Sequence, residues 1–476
     1  VQLVSQENAM QTTLTGLLKS FRESLEGPDV MQALSAGLIG KTAMVQGAYG
    51  PRKLVYADYV ASGRALRQVE DFILDEVLPF YANSHTEASY CGAFVTKLRR
   101  EARAAIAACC GADQRHAVIF AGAGATAGLN RLVRLLGADL GRVRVVIGPY
   151  EHHSNILPWR EAGAEVVEVG EAAAGGPDLG DLALALNAPG CDRVICSLSA
   201  ASNVTGILTD VEGVTRLVKA SGALMVWDYA GGGPYLPIDM AEIDAIVTSP
   251  HKFVGGPGAS GVLIVRKDAV IVDKPTWPGG GTVRYVSSDA HDYVTSIEAR
   301  EEAGTPNVMG DIRAGLAFLV KDAIGADRMT ALNRDLAVKG LAAWAGCAQV
   351  EVLGNLTASR LPIFSVLLRD GAGGLVPHLR AVRMLSDHFG IQARGGCACA
   401  GPYGHRLLNV DAARSAVIRQ AILAGDDAAR PGFVRLNLSV LMSEAEVDFI
   451  LESVKALAGC MVEADVDAQS EASRAA

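Results

Sequence analysis

The stretch Thr248-Ser249-Pro250-His251-Lys252-Phe253-Val254-Gly255-Gly256-Pro257-Gly258 sets one lysine between an apolar run and a glycine-rich turn. A lysine amine held there can form an imine with an aldehyde, provided that desolvation or a neighbouring positive charge keeps part of it unprotonated. His251 and the backbone donors of the glycine turn are placed to supply that environment. Asp228, at the end of Leu224-Met225-Val226-Trp227, closes a run expected to be buried. Burying a carboxylate is costly unless a cation meets it, and a protonated ring nitrogen is such a cation. A capping aspartate is the other reading of that position.

Three further segments carry groups that a phosphorylated aromatic aldehyde needs. Ala121-Gly122-Ala123-Gly124-Ala125-Thr126 follows the apolar Ile119-Phe120 and leads into a helical pattern. Glycines and a threonine at a helix start offer backbone N–H groups and a hydroxyl to a phosphate, with the helix dipole in the same sense. The spacing is not the GxGxxG dinucleotide fingerprint, which argues against a nucleotide-binding protein. Pro149-Tyr150-Glu151-His152-His153-Ser154-Asn155 offers an imidazole that, when neutral, can lie flat on a pyridine ring. Asn203, in Ala201-Ser202-Asn203-Val204-Thr205-Gly206, offers an amide to a ring hydroxyl.

Each of these segments follows a short apolar run. Runs at Ala117–Phe120, Arg144–Ile147, Glu165–Val169, Arg193–Ser197, Leu224–Trp227, Ala245–Val247 and Val262–Val265 alternate mostly with helix-length segments. The pattern predicts an α/β fold whose mainly parallel, seven-stranded sheet carries helices on both faces, with ligands at the carboxyl ends of the strands. A further strand is expected at Leu54–Ala57, and helices at Arg67–Val77 and Phe94–Cys109. Helical spacing over residues 1–45 predicts an amino-terminal arm, covering either this chain's core or a partner subunit. The large domain is expected over 46–315. A bridging helix at Asp311–Ala326 leads to a smaller α+β domain over 316–465, with strands at Val350–Val352, Ile363–Leu368, Gln392–Ala393 and Phe433–Leu438. Residues 466–476 are small and polar and are expected to be disordered.

Half of the 476 residues are hydrophobic, a fifth are charged, and the net charge is −9. No basic run with interleaved aromatics is present, so nucleic acid is not an expected partner. Nine scattered cysteines imply free thiols in a reducing compartment, and no pair of CxxC motifs suggests a zinc site. The amino-terminal stretch lacks signal-peptide order, and no segment is apolar enough for long enough to span a bilayer. The expected location is cytoplasmic.

Taken together, Asp228, Ser249-Pro250-His251-Lys252 and Gly304-Thr305-Pro306-Asn307 resemble a class V aminotransferase of pyridoxal-phosphate fold type I, from about Leu54 to Leu457. The resemblance implies pyridoxal 5′-phosphate as cofactor, with Lys252 as its covalent anchor, Asp228 at the pyridine nitrogen, His152 stacked on the ring and Asn203 near the ring oxygen. It implies Ala125, Thr126, Ser249 and His251 at the phosphate, and Thr305 reaching across from the second subunit of a homodimer.

Within that family, Arg394-Gly395-Gly396-Cys397-Ala398-Cys399-Ala400-Gly401-Pro402 resembles the R-x-G-x-x-C-A-x-P stretch of the cysteine desulfurases. This alignment implies Cys399 as the nucleophile and puts Cys397 where many relatives have histidine. Molybdenum cofactor sulfurases have a similar Cys-x-Cys. Arg435, in Phe433-Val434-Arg435-Leu436, matches the arginine that grips a substrate carboxylate, a task suited to its planar fork, and Arg394 is a second candidate. The implied reaction takes sulfur from L-cysteine, leaves L-alanine and a persulfide on Cys399, and passes the sulfur to an acceptor protein or thiol. One departure favours a different substrate. Where desulfurases usually read D-x-x-Q, the chain has Asp228-Tyr229-Ala230-Gly231, so an aminotransferase, lyase or epimerase acting on another amino acid is the alternative.

Overall fold

The computed structural model describes residues 16–84 and 86–458. The tail expected over 466–476 lies outside the described residues. Of the arm expected over 1–45, residues 1–15 lie outside the described residues; the rest includes helices α1 (Gly16–Ser24) and α2 (Val30–Gly37), whose Leu18, Phe21, Val30 and Leu34 are buried in the core of this same chain. Helix α3 (Tyr90–Cys109) starts at Ser89, whose hydroxyl accepts from Gly92 N–H. Its apolar residues recur every three or four positions (Val95, Leu98, Ala102, Ala105, Ile106), and that stripe is the buried one. Helix α4 spans Gly124–Leu135 and α5 spans Val308–Ile324. Helices α3 and α5 cross so closely that a Cβ on Gly315 would lie 2.9 Å from Ala102 Cα.

The seven expected strands all form: β1 (His116–Gly122), β2 (Val143–Ile147), β3 (Glu165–Glu168), β4 (Arg193–Ser199), β5 (Leu224–Asp228), β6 (Ala245–Thr248) and β7 (Gly261–Arg266). They make one sheet in the order β1-β7-β6-β5-β4-β2-β3. All neighbours are parallel except β7, which runs antiparallel to both β1 and β6. The central strands are buried on both faces, because helices cover each side; this explains why they read as continuous apolar runs and not as alternating ones. The carboxyl ends of β2, β4, β5 and β6 therefore open on one edge, together with the β1–α4 turn.

The second core surrounds a four-stranded antiparallel sheet of β8 (Val350–Val352), β9 (Ile363–Leu368), β10 (Arg394–Gly396) and β11 (Phe433–Asn437), in the order β8-β9-β11-β10. A helix over 444–458 covers it. The strand expected at Leu54–Ala57 forms at Val55–Tyr56, and it stands outside the large sheet, paired in parallel with Ile391–Gln392. The next residues cross to the Lys252 loop, where Gly63 N–H donates to His251 O at 2.9 Å. A Cβ at Gly63 would sit 1.8 Å from Phe253 O, so glycine alone allows this approach. Two hairpin ribbons, at Met44–Gly47 with Gly50–Lys53 and at Val283–Val286 with His291–Tyr293, had no clear alternation and are absent from the sequence reading.

Candidate active site

Lys252 ends a short 3-10 turn, Pro250–Lys252, directly after β6, and it is half-buried. Burial pushes its ammonium down to about 8, helped by the positive charges of Arg435 and Arg394; Asp228 and Cys399 act in the opposite sense. A fraction of the amine is thus neutral near physiological pH, as imine chemistry requires. Asp228 is buried at the end of β5, where its carboxylate accepts from Ala230 N–H at 2.7 Å. Burial drives its carboxyl upward, and the Ala230 N–H and the Lys252 charge offset only part of that. A buried acid so weakly compensated suits a cationic ring nitrogen.

The loop after β2 places His152 and His153. His152 Nδ1 accepts from Ser154 N–H at 3.1 Å and lies 3.0 Å from Ser154 Oγ. Burial first, then the charge of Lys252, hold this imidazole neutral, with its proton affinity down to about 3. Ser154 Oγ also meets Thr126 Oγ1 at 2.7 Å, which ties this loop to the start of α4. At that start the N-cap residue Ala123 offers no side chain, which leaves the first N–H groups of the helix to side chains from other loops or to an anion. Ala125 N–H donates to Ser249 Oγ at 2.9 Å, and Gly124 packs so tightly that a Cβ would come within 3.0 Å of Ser249 Oγ and 3.1 Å of His251 Cε1. Ala125, Thr126, Ser249 and His251 therefore converge on one helix N-terminus.

Asn203, after β4, donates from Nδ2 to Ala398 O at 2.9 Å, while its buried Oδ1 has no partner among the described residues. Gly231 lies beside it: a Cβ there would meet Ala201 O at 3.4 Å and Asn203 Cβ at 3.5 Å, ordinary contact distances. Asn203 O accepts from Arg435 Nη1 at 3.1 Å.

Cys399 is exposed on the turn that follows β10. Ala400 N–H donates to Cys397 O at 3.1 Å, closing a turn whose central residues Ala398 and Cys399 have φ of 53° and 55°. Two consecutive non-glycine residues in the left-handed region cost on the order of 1–2 kcal/mol each. Three hydrogen bonds from elsewhere in the chain hold the turn: Asn203 Nδ2 to Ala398 O, His153 N–H to Cys399 O at 2.8 Å, and Gly401 N–H to His153 Nε2 at 3.0 Å. At about 1 kcal/mol apiece they are of the size needed to offset the strain.

Sequence reasoning missed three residues. Asp58 binds both candidate arginines, Oδ1 to Arg435 Nη2 at 2.9 Å and Oδ2 to Arg394 Nε at 3.0 Å. Ser154 links His152 to Thr126. Glu151 is buried with Ser199 N–H and Oγ each donating to it at 2.8 Å, and burial pushes its carboxyl up to about 7. Glu151 and Ser154 were legible as polar neighbours of His152. Asp58 carried no local signal, because its partners are distant in sequence. Thr305 stands apart, exposed in the loop ahead of α5, and makes no hydrogen bond to the other predicted site residues among the described residues.

An imine-forming amine, a buried acid and a neutral imidazole each close enough to feel its charge, and a helix end lined by Ser249 and His251 match the donor set of pyridoxal 5′-phosphate. With this strand order, they define a pyridoxal-phosphate enzyme of fold type I. The chain belongs to the class V aminotransferase family, whose model matches residues 55–450. It is 30% identical over 363 residues to a probable cysteine desulfurase from Streptomyces coelicolor, covering 74% of this chain and 84% of that one. A probable cysteine desulfurase from Vibrio cholerae is likewise 30% identical over 359 residues, covering 73% and 85%. The apo structure of a cysteine desulfurase from Thermococcus onnurineus superposes with a TM-score of 0.70 at 25% identity, covering 85% of this chain and 95% of that one. A cysteine desulfurase from Escherichia coli, at 23% identity and TM-score 0.69, shares the fold over 94% of this chain.

Proposed function

We propose that this chain is a cysteine desulfurase that uses pyridoxal 5′-phosphate to take sulfur from L-cysteine, leaving L-alanine and a persulfide on Cys399. The observation that carries this reading is an exposed thiol on a tied-down turn, near enough for its charge to act on the Lys252 amine. The cofactor, when bound, supplies an electron sink for the charge left at the substrate α-carbon.

The chain's own residues do the rest. Lys252 would anchor the cofactor and is placed to hold the substrate α-proton on Nζ; its lowered proton affinity suits both tasks. Asp228 would keep the ring nitrogen protonated, and neutral His152 would pack against the ring without adding a charge. Asn203 Oδ1, unpartnered among the described residues, takes the ring hydroxyl. The α4 N-terminus with Ala125, Thr126, Ser249 and His251 takes the phosphate. Arg435 is buried and held by Asp58 and Asn203, whereas Arg394 is held by Asp58 through Nε and half-exposed at its side chain, so Arg394 is the more accessible of the two to a substrate carboxylate. The Cys399 thiolate then attacks the substrate sulfur.

The protein works as a homodimer, with Thr305 of each copy completing the other's site; the exposure of Thr305 favours this. An acceptor protein or thiol takes the sulfur. No helix among the described residues is long and apolar enough to cross a membrane, and the free thiols suit a cytoplasmic location. The test is alanine and sulfide release from L-cysteine, with Cys399→Ala retaining the cofactor but losing both products.

Gly231 favours a second reading, in which the same cofactor serves a lyase, epimerase or transaminase on another amino acid. Screening amino acids for spectral shifts and identifying the products separates the two readings.

A further inference from the structure

Cys397 has no task in the reaction above, yet its position is specific. It is half-buried, it is the first residue of the turn that carries Cys399, and its carbonyl closes that turn. Two residues apart, the Cα atoms can be separated by at most about 7 Å even in extended chain. A turn closed by Ala400 N–H on Cys397 O is shorter than extended chain, and the disulfide window of about 4.4–6.8 Å lies below that upper limit. The positive φ values of Ala398 and Cys399 curl the chain so that the half-buried thiol and the exposed one share one tight turn. The hydrogen bonds from Asn203 and His153 keep the turn in that shape.

We propose that Cys397 resolves the Cys399 persulfide, releasing sulfide and leaving a Cys397–Cys399 disulfide that must be reduced before the next turnover. This rests on the desulfurase reading. The Cys397 thiolate attacks Cys399 Sγ; the Sγ–Sγ bond forms, the bond from Cys399 Sγ to the outer sulfur breaks, and that sulfur leaves with the electron pair as hydrosulfide. The outer sulfur is reduced and the two cysteines are oxidised, so no outside oxidant enters. A small thiol, or a protein dithiol, then reduces the disulfide and returns both cysteines to the thiol form. The consequence is an enzyme whose sulfide output is coupled to the thiol supply, alongside any direct handover of the persulfide.

The experiment loads the holoenzyme with one equivalent of L-cysteine without reductant, and measures alanine, free sulfide and the mass of the 394–406 region after alkylation. The wild-type chain is expected to give alanine and sulfide in equal amounts and a peptide lighter by two hydrogens. Cys397→Ser and Cys397→Ala are expected to give alanine with little sulfide, and a peptide heavier by one sulfur. Alanine from all three proteins, with the persulfide retained equally in wild type and variants, would overturn the resolving role. Absence of alanine from all three would overturn the desulfurase reading itself. A separate arm, independent of turnover, exposes the protein to oxidised glutathione. The Cys397–Cys399 disulfide is expected in wild type and a glutathione adduct on Cys399 in Cys397→Ser; a stable adduct in both contradicts the proposal.

Discussion

Arg394 and Arg435 are register partners across the antiparallel β10–β11 pair, and the carboxylate of Asp58 binds one with each oxygen. Like charges directly opposite each other on a sheet repel. Asp58 offsets that repulsion, and it does so from a segment that also touches the Lys252 loop through Gly63. The two arginines differ in consequence: Arg435 is fixed and buried, and Arg394 reaches the surface.

Replacing Asp58 by Asn leaves Arg435 as an unpaired buried charge. The expected loss is about 3 kcal/mol or more in stability, the range for breaking a buried pair. Asp58→Asn combined with Arg394→Gln is expected to recover part of it, since one of the two facing charges is gone. Arg394→Ala alone is expected to change stability little and to raise KM for the amino-acid substrate. Urea unfolding of the four apoproteins, with KM for Arg394→Ala, checks this set.

The Lys252 amine is predicted to set the pH dependence of cofactor loading. Its proton leaves at about 8, so loading of the apoprotein with pyridoxal 5′-phosphate should rise through that pH and level off above it. The folded chain binds this proton less tightly than the unfolded chain does. Its contribution to apoprotein stability therefore grows as pH rises from about 8 toward the ordinary lysine value. Borohydride trapping between pH 6 and 10, read by mass at Lys252, measures the midpoint. A rate that climbs as for an exposed lysine contradicts the assignment.

Asp228→Asn should move the apo and loaded proteins in opposite directions. The apoprotein no longer buries a weakly compensated carboxylate, so it is expected to melt at a higher temperature than wild type. The loaded protein loses the partner of the ring nitrogen, with alanine formation down at least about 100-fold, from a lost interaction of about 3 kcal/mol. Calorimetry on both forms and single-turnover assays give the two signs.

How much of this was legible in the sequence follows from the range of each interaction. Strands such as Val143–Ile147 and Ala245–Thr248 are buried on both faces, so their apolar runs announced them without any tertiary information. Lys252, Asp228, His152 and Asn203 could be read because the fold puts such groups at strand ends. Asp58 could not, since what defines it is a pair of arginines more than half the chain away. The left-handed conformation of Ala398 and Cys399 was also hidden: neither residue favours it, and hydrogen bonds with the distant Asn203 and His153 help to hold it. Glu151 and Ser154 stood next to a recognised histidine, and only folding reveals that one braces Ser199 and the other binds Thr126.

The turn's dependence on Asn203 gives a local prediction. Asn203→Ala removes the bond to Ala398 O, worth about 1 kcal/mol, so amide exchange across residues 396–401 should quicken roughly five-fold while the β4 and β5 amides are unaffected. Hydrogen-exchange mass spectrometry resolves the two regions.

Gly231→Gln tests the departure from the usual desulfurase pattern. Space for the new Cβ exists beside Asn203, so the variant is expected to fold. The added amide should tighten cofactor binding by roughly ten-fold, the worth of one hydrogen bond to a charged group, about 1.5 kcal/mol. Equilibrium binding to the apoprotein measures it.

The central claim is that Cys399 takes sulfur from a substrate activated at Lys252, and alanine release from L-cysteine by Cys399→Ala tests it most directly. The expected outcome is loss of alanine and sulfide, with borohydride still trapping the cofactor on Lys252. Alanine released by Cys399→Ala at the wild-type rate, together with sulfide, would contradict it.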